Sequence, residues 1–153
     1  MEKEKTIEVL NSLITINNDR IEGYETASKE TDEMDLKNIF SKLAATSLKC
    51  KQELINEVTK LGGTAAEGTK TTGKIYRAWM DIKATLTGHD RKAILNSCEY
   101  GEDVAIEAYE DALNNETENI SSEQQSMLRT QLQSIRADHD KVKGLRDMLV
   151  AQD

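Results

Sequence analysis

Proline is absent from this 153-residue chain, and both cysteine (two residues) and aromatic side chains (4%) are scarce. Without proline, no residue forces a helix to break. Cys50 and Cys98 lack the Cys-x-x-Cys spacing of a redox or metal motif, and two such unpaired cysteines are typical of a reducing compartment. We therefore expect a cytoplasmic protein with two free, reduced thiols.

Positive charge is also in short supply, since 20 Lys and Arg stand against 28 Asp and Glu, a formal net charge of −8. This balance argues against nucleic acid, whose phosphates need clustered basic side chains, and against an anionic membrane surface. No stretch approaches 18 apolar residues, and no apolar signal core follows residues 1–5. We expect neither nucleic acid nor membrane as a partner, whereas self-association and an unidentified protein partner remain open.

The length predicts one domain, 1–153, that can bury a core without disulfides or structural metal. Apolar residues recur at helical spacing in four runs, which predict helices over 3–29, 33–61, 89–115 and 122–150. Thr31 or Asp32 is the expected N-cap of the second helix, and residues 121–124 supply a cap for the fourth. Gly23, Gly101 and Gly144 interrupt helices, for which close packing of a neighbour is the expected reason.

Five of the eight glycines fall within residues 62–88, which we interpret as the connection between two helical hairpins. Inside it, residues 74–87 carry an apolar stripe that predicts a short amphipathic helix, with Trp79 as its buried anchor. A connection of this length can run back along the molecule, so the second and third helices are expected to be parallel. The predicted fold is an all-α, ferritin-like four-helix bundle with one long crossover.

Polar side chains interrupt the inward-facing stripe of each helix. Glu102 follows Cys98 at helical spacing, and His139 follows Ile135. At a rise of about 1.5 Å per residue, His139 comes within roughly one turn of the level of Glu102 along the bundle. We predict a central polar layer in which Glu102 and His139 are largely buried and within reach of each other.

Two interpretations of this layer stay open. A di-iron site in a bundle needs two Glu-x-x-His motifs, and the sequence contains none. One divalent ion of iron, manganese or zinc can still be held by Glu102 and His139, with Glu25 and Glu99 as further candidate ligands. The alternative is a buried Glu–His hydrogen-bonded pair that only fixes the alignment of the helices.

Other chemistries find less support in the sequence. Cys98 and His139 could be neighbours, but a cysteine on the apolar face of a helix is typically an inert packing residue. The glycines of residues 62–88 do not form a phosphate-binding Gly-x-x-x-x-Gly-Lys-Ser/Thr loop. We therefore favour a non-enzymatic protein.

Several short motifs are familiar as a set: Asp19-x-x-x-Gly23-Tyr24, Leu61-Gly62-Gly63, Trp79-Met80-Asp81-Ile82-Lys83, Cys98-Glu99-x-Gly101-Glu102-Asp103-x-Ala105-x-x-x-Tyr109 and His139-Asp140-x-Val142. Together they resemble a bacterial family of ferritin-like four-helix-bundle proteins catalogued as a domain of unknown function. The resemblance spans nearly the whole chain and implies the bundle fold and a bacterial origin, but no reaction or metal. Relatives tend to carry His at the position of Tyr76.

These observations leave two functional hypotheses. The first is a non-enzymatic helical module that acts through its surface or through self-association, with a polar layer that sets the helix register. The second is a ferritin-like metal-binding protein in iron handling or stress response, which uses Glu102, His139 and nearby carboxylates.

Overall fold

The computed structural model describes residues 3–68 and 91–152. The described residues form four helices, α1 (Lys3–Glu30), α2 (Met34–Lys60), α3 (Arg91–Asn115) and α4 (Ser122–Gln152), with a 3-10 turn at Thr117–Asn119. The described residues contain no β-strand, so the predicted all-α class is confirmed. None of the described helices is long and apolar enough to cross a membrane. The predicted helix 74–87 and its Trp79 lie outside the described residues.

A glycine pair ends α2 and holds it against α1. The N–H of Gly62 bonds to the carbonyl of Thr59, and that of Gly63 bonds to the carbonyl of Val58, both at 3.0 Å. Gly62 has a φ of +80°, so this is a Schellman motif. A Cβ on Gly63 would lie 2.7 Å from Cδ1 of Ile7. The end of α2 therefore packs directly on the start of α1.

One predicted cap is confirmed and the other is wrong. At the start of α4, the N–H of Gln124 bonds to Oγ of Ser121, and the Gln124 side chain accepts the N–H of Ser121, which is a capping box. The residue before α2 is Glu33, not Thr31 or Asp32, and its side chain makes no capping bond. Thr31 follows directly after α1, and its N–H bonds to the carbonyl of Ala27 in the last turn of that helix.

The helix directions follow from contacts between distant residues. Helix α1 is antiparallel to α2, since the end of α2 lies on the start of α1. Helix α1 is also antiparallel to α3, because Thr6 near its start bonds to Asn119 just after α3, whereas Arg20 bonds to Glu102 farther back. Helices α2 and α3 are therefore parallel, as the length of the 62–88 segment predicts.

The first residues after α2 run back along α1. The side chain of Asn11 bonds to the carbonyl of Thr64 and to the N–H of Ala66, at 3.1 and 2.8 Å. Farther along α1, Asn18 donates to the carbonyl of Gly68 at 3.0 Å. This is the course predicted for the beginning of the crossover.

The buried apolar residues form two clusters along the bundle. One cluster contains Leu10, Leu13, Ile14, Leu54, Val58, Ala105, Tyr109, Ala112, Ile120, Leu128, Leu132 and Ile135. The other contains Tyr24, Ala27, Leu36, Phe40, Leu43, Ala44, Ile94, Leu95, Cys98 and Val142. Between the two clusters, each of these helices places a buried or half-buried polar side chain, namely Arg20 on α1, Ser47 on α2, Glu102 on α3 and Asp138 on α4. The candidate site therefore lies at the middle of the bundle.

The three helical glycines differ in their surroundings. Gly23 and Gly101 are buried. Gly144 is exposed, and a Cβ placed on it would have no heavy atom within 4 Å among its neighbours. The expectation of a close neighbour is therefore wrong for Gly144.

Candidate functional site: two charged clusters

The middle of the bundle contains a buried ion pair. Nη2 of Arg20 on α1 lies 2.6 and 2.8 Å from the two carboxylate oxygens of Glu102 on α3. The two residues are 2% and 0% exposed. One nitrogen of the guanidinium therefore spans both oxygens of a carboxylate that water does not reach.

The remaining helices complete a layer around this pair. Nη1 of Arg20 donates to Oγ of Ser47 on α2, and Asp138 on α4 lies 3.9 Å from Nη2. The hydroxyl of Tyr24 donates to Glu102 at 3.2 Å, and its ring lies 5.8 Å from the guanidinium carbon. Arg20, Ser47, Glu102 and Asp138 are the central layer, to which each helix contributes one residue.

The charges of the central layer depend on each other. Burial lowers the pKa of Arg20, but Glu102, Tyr24 and Asp138 together outweigh burial and raise it, so the guanidinium stays charged. Burial raises the pKa of Glu102, and the attraction of Arg20 opposes that rise. Removing either partner would leave the other as an uncompensated charge in the interior, which is strongly unfavourable.

A second polar layer lies next to the central layer and carries no buried ion pair. The hydroxyl of Tyr109 accepts a bond from Asn17 at 2.9 Å and donates to Gln131 at 2.7 Å. Gln131 in turn donates to Glu53 and to the carbonyl of Cys50, at 3.2 and 3.4 Å. Asn17, Cys50, Tyr109 and Gln131 are the tyrosine layer, which again draws one residue from each helix.

The two cysteines are free and buried, as predicted. Burial raises the pKa of Cys50 to about 11. Burial and the nearby Glu102 raise the pKa of Cys98 well above its usual range. Neither thiol is a ready nucleophile, because the thiolate is the reactive form.

A second charged cluster lies between α3 and α4. Nε2 of His139 is 2.8 Å from Oδ1 of Asp103 and 3.7 Å from Oε1 of Glu99. The other oxygen of Glu99 forms an ion pair with Arg146. Glu99, Asp103 and His139 are the seam cluster. Among the described residues, it is the group whose ligand atoms could surround one metal ion.

The structure separates the four candidate ligands named from the sequence. Glu99 and His139 come together in the seam cluster, whereas Glu102 lies in the central layer. Glu25 is exposed on α1. The prediction that Glu102 and His139 contact each other is wrong. Glu102 bonds to Arg20 and Tyr24, whereas His139 bonds to Asp103.

Sequence reasoning missed Arg20 and Asp103. The spacing Asn17, Arg20, Tyr24 continues the inward stripe of α1 in steps of three and four, and all three side chains are buried. Apolar periodicity alone places Ile21 on that stripe, yet Ile21 is only half-buried. Asp103 gave no periodic signal, since its side chain is 59% exposed.

The buried carboxylate does not fit a metal ion. Both oxygens of Glu102 are within hydrogen-bond distance of Arg20, which supplies the positive charge that a cation would bring. The hydrogen bonds described for Glu102 come from Arg20 and Tyr24, and the other carboxylate of the layer, Asp138, lies 3.9 Å from the same guanidinium nitrogen. A di-iron centre therefore has no basis at this position.

Comparison with models of known protein families shows the family to which the chain belongs. Residues 5–115 match the model described as Domain of unknown function (DUF2383). The chain belongs to this family. The resemblance to a family of unknown function is thereby confirmed, and no curated protein matches the chain. The segment matched to DUF2383 includes the Arg20–Glu102 pair and ends before His139.

Proposed function

We propose that this protein is a ferritin-like bundle that acts as a non-enzymatic structural or interaction module. The observation that carries the proposal is the Arg20–Glu102 pair, which occupies the middle of the core. In ferritin-like metalloproteins, inward carboxylates of facing helices hold metal ions. Here a guanidinium of the same chain balances the carboxylate, so the interior needs no bound cation.

The two polar layers support a role in fixing one helix alignment. Each layer joins all four helices through hydrogen bonds or ion pairs. If one helix slipped by a turn, buried polar groups would lose their partners, and each such loss costs about 1–3 kcal/mol. A rigid bundle of this kind acts through its surface, towards a protein partner or a second copy of itself.

A bacterial, cytoplasmic setting is part of the proposal. The two buried, free cysteines favour a reducing compartment. The bacterial origin rests on the motifs that the chain shares with the family of unknown function.

Metal binding through Glu102, for iron handling or stress response, is the weaker alternative. An ion would have to displace Arg20 from both carboxylate oxygens. The displaced guanidinium is itself 2% exposed and would lose its partner in the interior. That penalty opposes any occupation of the central layer by a cation.

Oxidation of Fe²⁺ by air tests this proposal. We expect the rate with the wild-type protein to equal that with Glu102→Gln, because Glu102 takes part in no iron chemistry. Ferric absorbance in a stopped-flow instrument gives both rates, with Glu110→Gln on the same helix as the control. Faster oxidation by wild type and Glu110→Gln than by Glu102→Gln would overturn the non-enzymatic assignment.

A further inference from the structure

The seam cluster has the composition of a transition-metal site. It combines one imidazole with two carboxylates, and one ligand atom from each of Glu99, Asp103 and His139 lies within 4.8 Å of the other two. In a tetrahedral zinc site with bonds of about 2.0–2.1 Å, ligand atoms are about 3.3 Å apart. The distances of 2.8 and 3.7 Å from Nε2 of His139 lie on either side of that spacing.

Groups around the cluster orient its ligand atoms. Arg146 holds Oε2 of Glu99, so Oε1 is the oxygen that faces His139. Oδ1 of Asp140 lies 3.4 Å from Nδ1 of His139. A metal would take the Nε2 lone pair, with the proton on Nδ1, the nitrogen that faces Asp140. Metal-bound histidines usually have this kind of outer support.

The cluster is accessible from solvent and negatively charged. The side chain of Asp103 is 59% exposed, whereas those of Glu99 and His139 are 16% and 17% exposed. An ion can therefore enter past Asp103, and water can complete its coordination. In the contacts described at the cluster, the carboxylates of Glu99, Asp103 and Asp140 outnumber the one cation, Arg146.

We propose that Glu99, Asp103 and His139 bind one divalent transition-metal ion, with Zn²⁺ as the expected occupant. Imidazole favours Zn²⁺ over Mg²⁺ and Ca²⁺, which prefer all-oxygen sites. One ligand comes from α4 and two come from α3, so the ion links the two helices of this hairpin. The site is independent of the role proposed for the central layer.

Calorimetric titration with Zn²⁺ tests the site on the full chain, purified without affinity metal and treated with chelator. We expect one ion per chain and a melting temperature that rises with Zn²⁺, because an ion bound only by the folded state stabilises it. His139→Gln and Asp103→Asn remove one ligand each and should each abolish both effects. Circular dichroism establishes that each variant is folded.

Three further variants assign the binding to the seam. Asp140→Asn alters only the outer hydrogen bond and should weaken binding by about tenfold. Asp111→Asn changes an exposed aspartate elsewhere on α3 and should leave binding unchanged. His89→Gln removes the other histidine and should also leave binding unchanged.

Each alternative outcome contradicts the proposal. Absence of Zn²⁺ binding would mean that the seam cluster is only a His–carboxylate ion pair. Equal binding by wild type, His139→Gln and Asp103→Asn would place the ion elsewhere. Loss of binding in His89→Gln, with none in His139→Gln, would assign it to the other histidine.

Discussion

Glu99 and Glu102 are the same residue type, three positions apart on α3, yet their environments differ. Glu102 is fully buried and bonds to Arg20. Glu99 is partly exposed, and its two oxygens face an arginine and a histidine at the edge of α4. The buried glutamate is neutralised by an arginine of the same chain and is closed to solvent. The partly exposed glutamate remains accessible to an ion from solution.

The largest effect should come from breaking the buried pair. Glu102→Gln leaves Arg20 charged in the interior, so we expect the free energy of unfolding to fall by about 3–5 kcal/mol. Glu110→Gln on the same helix breaks the exposed pair with Arg136, with N–O distance 3.2 Å, and should cost about 0–1 kcal/mol. Urea unfolding measures both. Equal losses would remove the distinction between buried and exposed charge.

The Cys50 thiol is a buried neutral group, and its burial should make the stability of the protein depend on pH. Burial raises the pKa of Cys50 from 9.0 to about 11. Above pH 9 the unfolded thiol loses its proton while the folded one keeps it, so stability falls as pH rises towards 11. The contribution amounts to about 2–3 kcal/mol.

Urea unfolding of wild type and Cys50→Ala from pH 8 to 11 checks this expectation. The variant lacks the thiol, so its stability should fall less steeply with pH, whatever its stability at neutral pH. Parallel curves for the two proteins would mean that Cys50 titrates normally in the folded state.

The tyrosine layer sharpens the comparison, since it is buried but carries no buried ion pair. Tyr109→Phe removes the hydroxyl that joins Asn17 to Gln131. We expect a loss of about 1–3 kcal/mol, smaller than that for Glu102→Gln, because no charge is left unpaired. Thermal and urea unfolding give the value, and a loss as large as that of Glu102→Gln would show that charge is not the deciding property.

Gly144 should give the smallest effect, with the opposite sign. It lies inside α4 with open space around it, so Gly144→Ala meets no neighbour. We expect stabilisation by about 1 kcal/mol from the higher helix propensity of alanine. A lower melting temperature in the variant would mean that this part of α4 packs against a group not present in the described residues.

Periodicity predicted the helices well but chose the wrong partner for Glu102. The burial of Glu102 followed from its place between Cys98 and Ala105 on the stripe of α3. Arg20 was missed because a charged residue is not expected inside, although its spacing to Asn17 and Tyr24 is that of an inward position. Only a partner of opposite charge makes such a position tolerable, and pairs across helices cannot be deduced from spacing within one helix.

The seam cluster was predicted only in part for a different reason. Counting residues gives the level of His139 along α4 but not the side of the helix towards which its ring turns. An error of one position rotates a residue by about 100° around a helix axis, enough to move it from the centre to a seam. Glu99 was therefore named as a ligand, whereas the exposed Asp103 was not.

A double-mutant cycle on Arg20 and Glu102 tests the central claim most directly. Each of Arg20→Met and Glu102→Leu leaves one partner of the pair without the other, while the double variant removes both charges of the pair. We predict that the double variant is more stable than the sum of the single losses implies by about 2–3 kcal/mol. If the stability loss of the double variant equals the sum of the two single losses to within about 0.5 kcal/mol, the claim that the Arg20–Glu102 ion pair stabilises the middle of the bundle is contradicted.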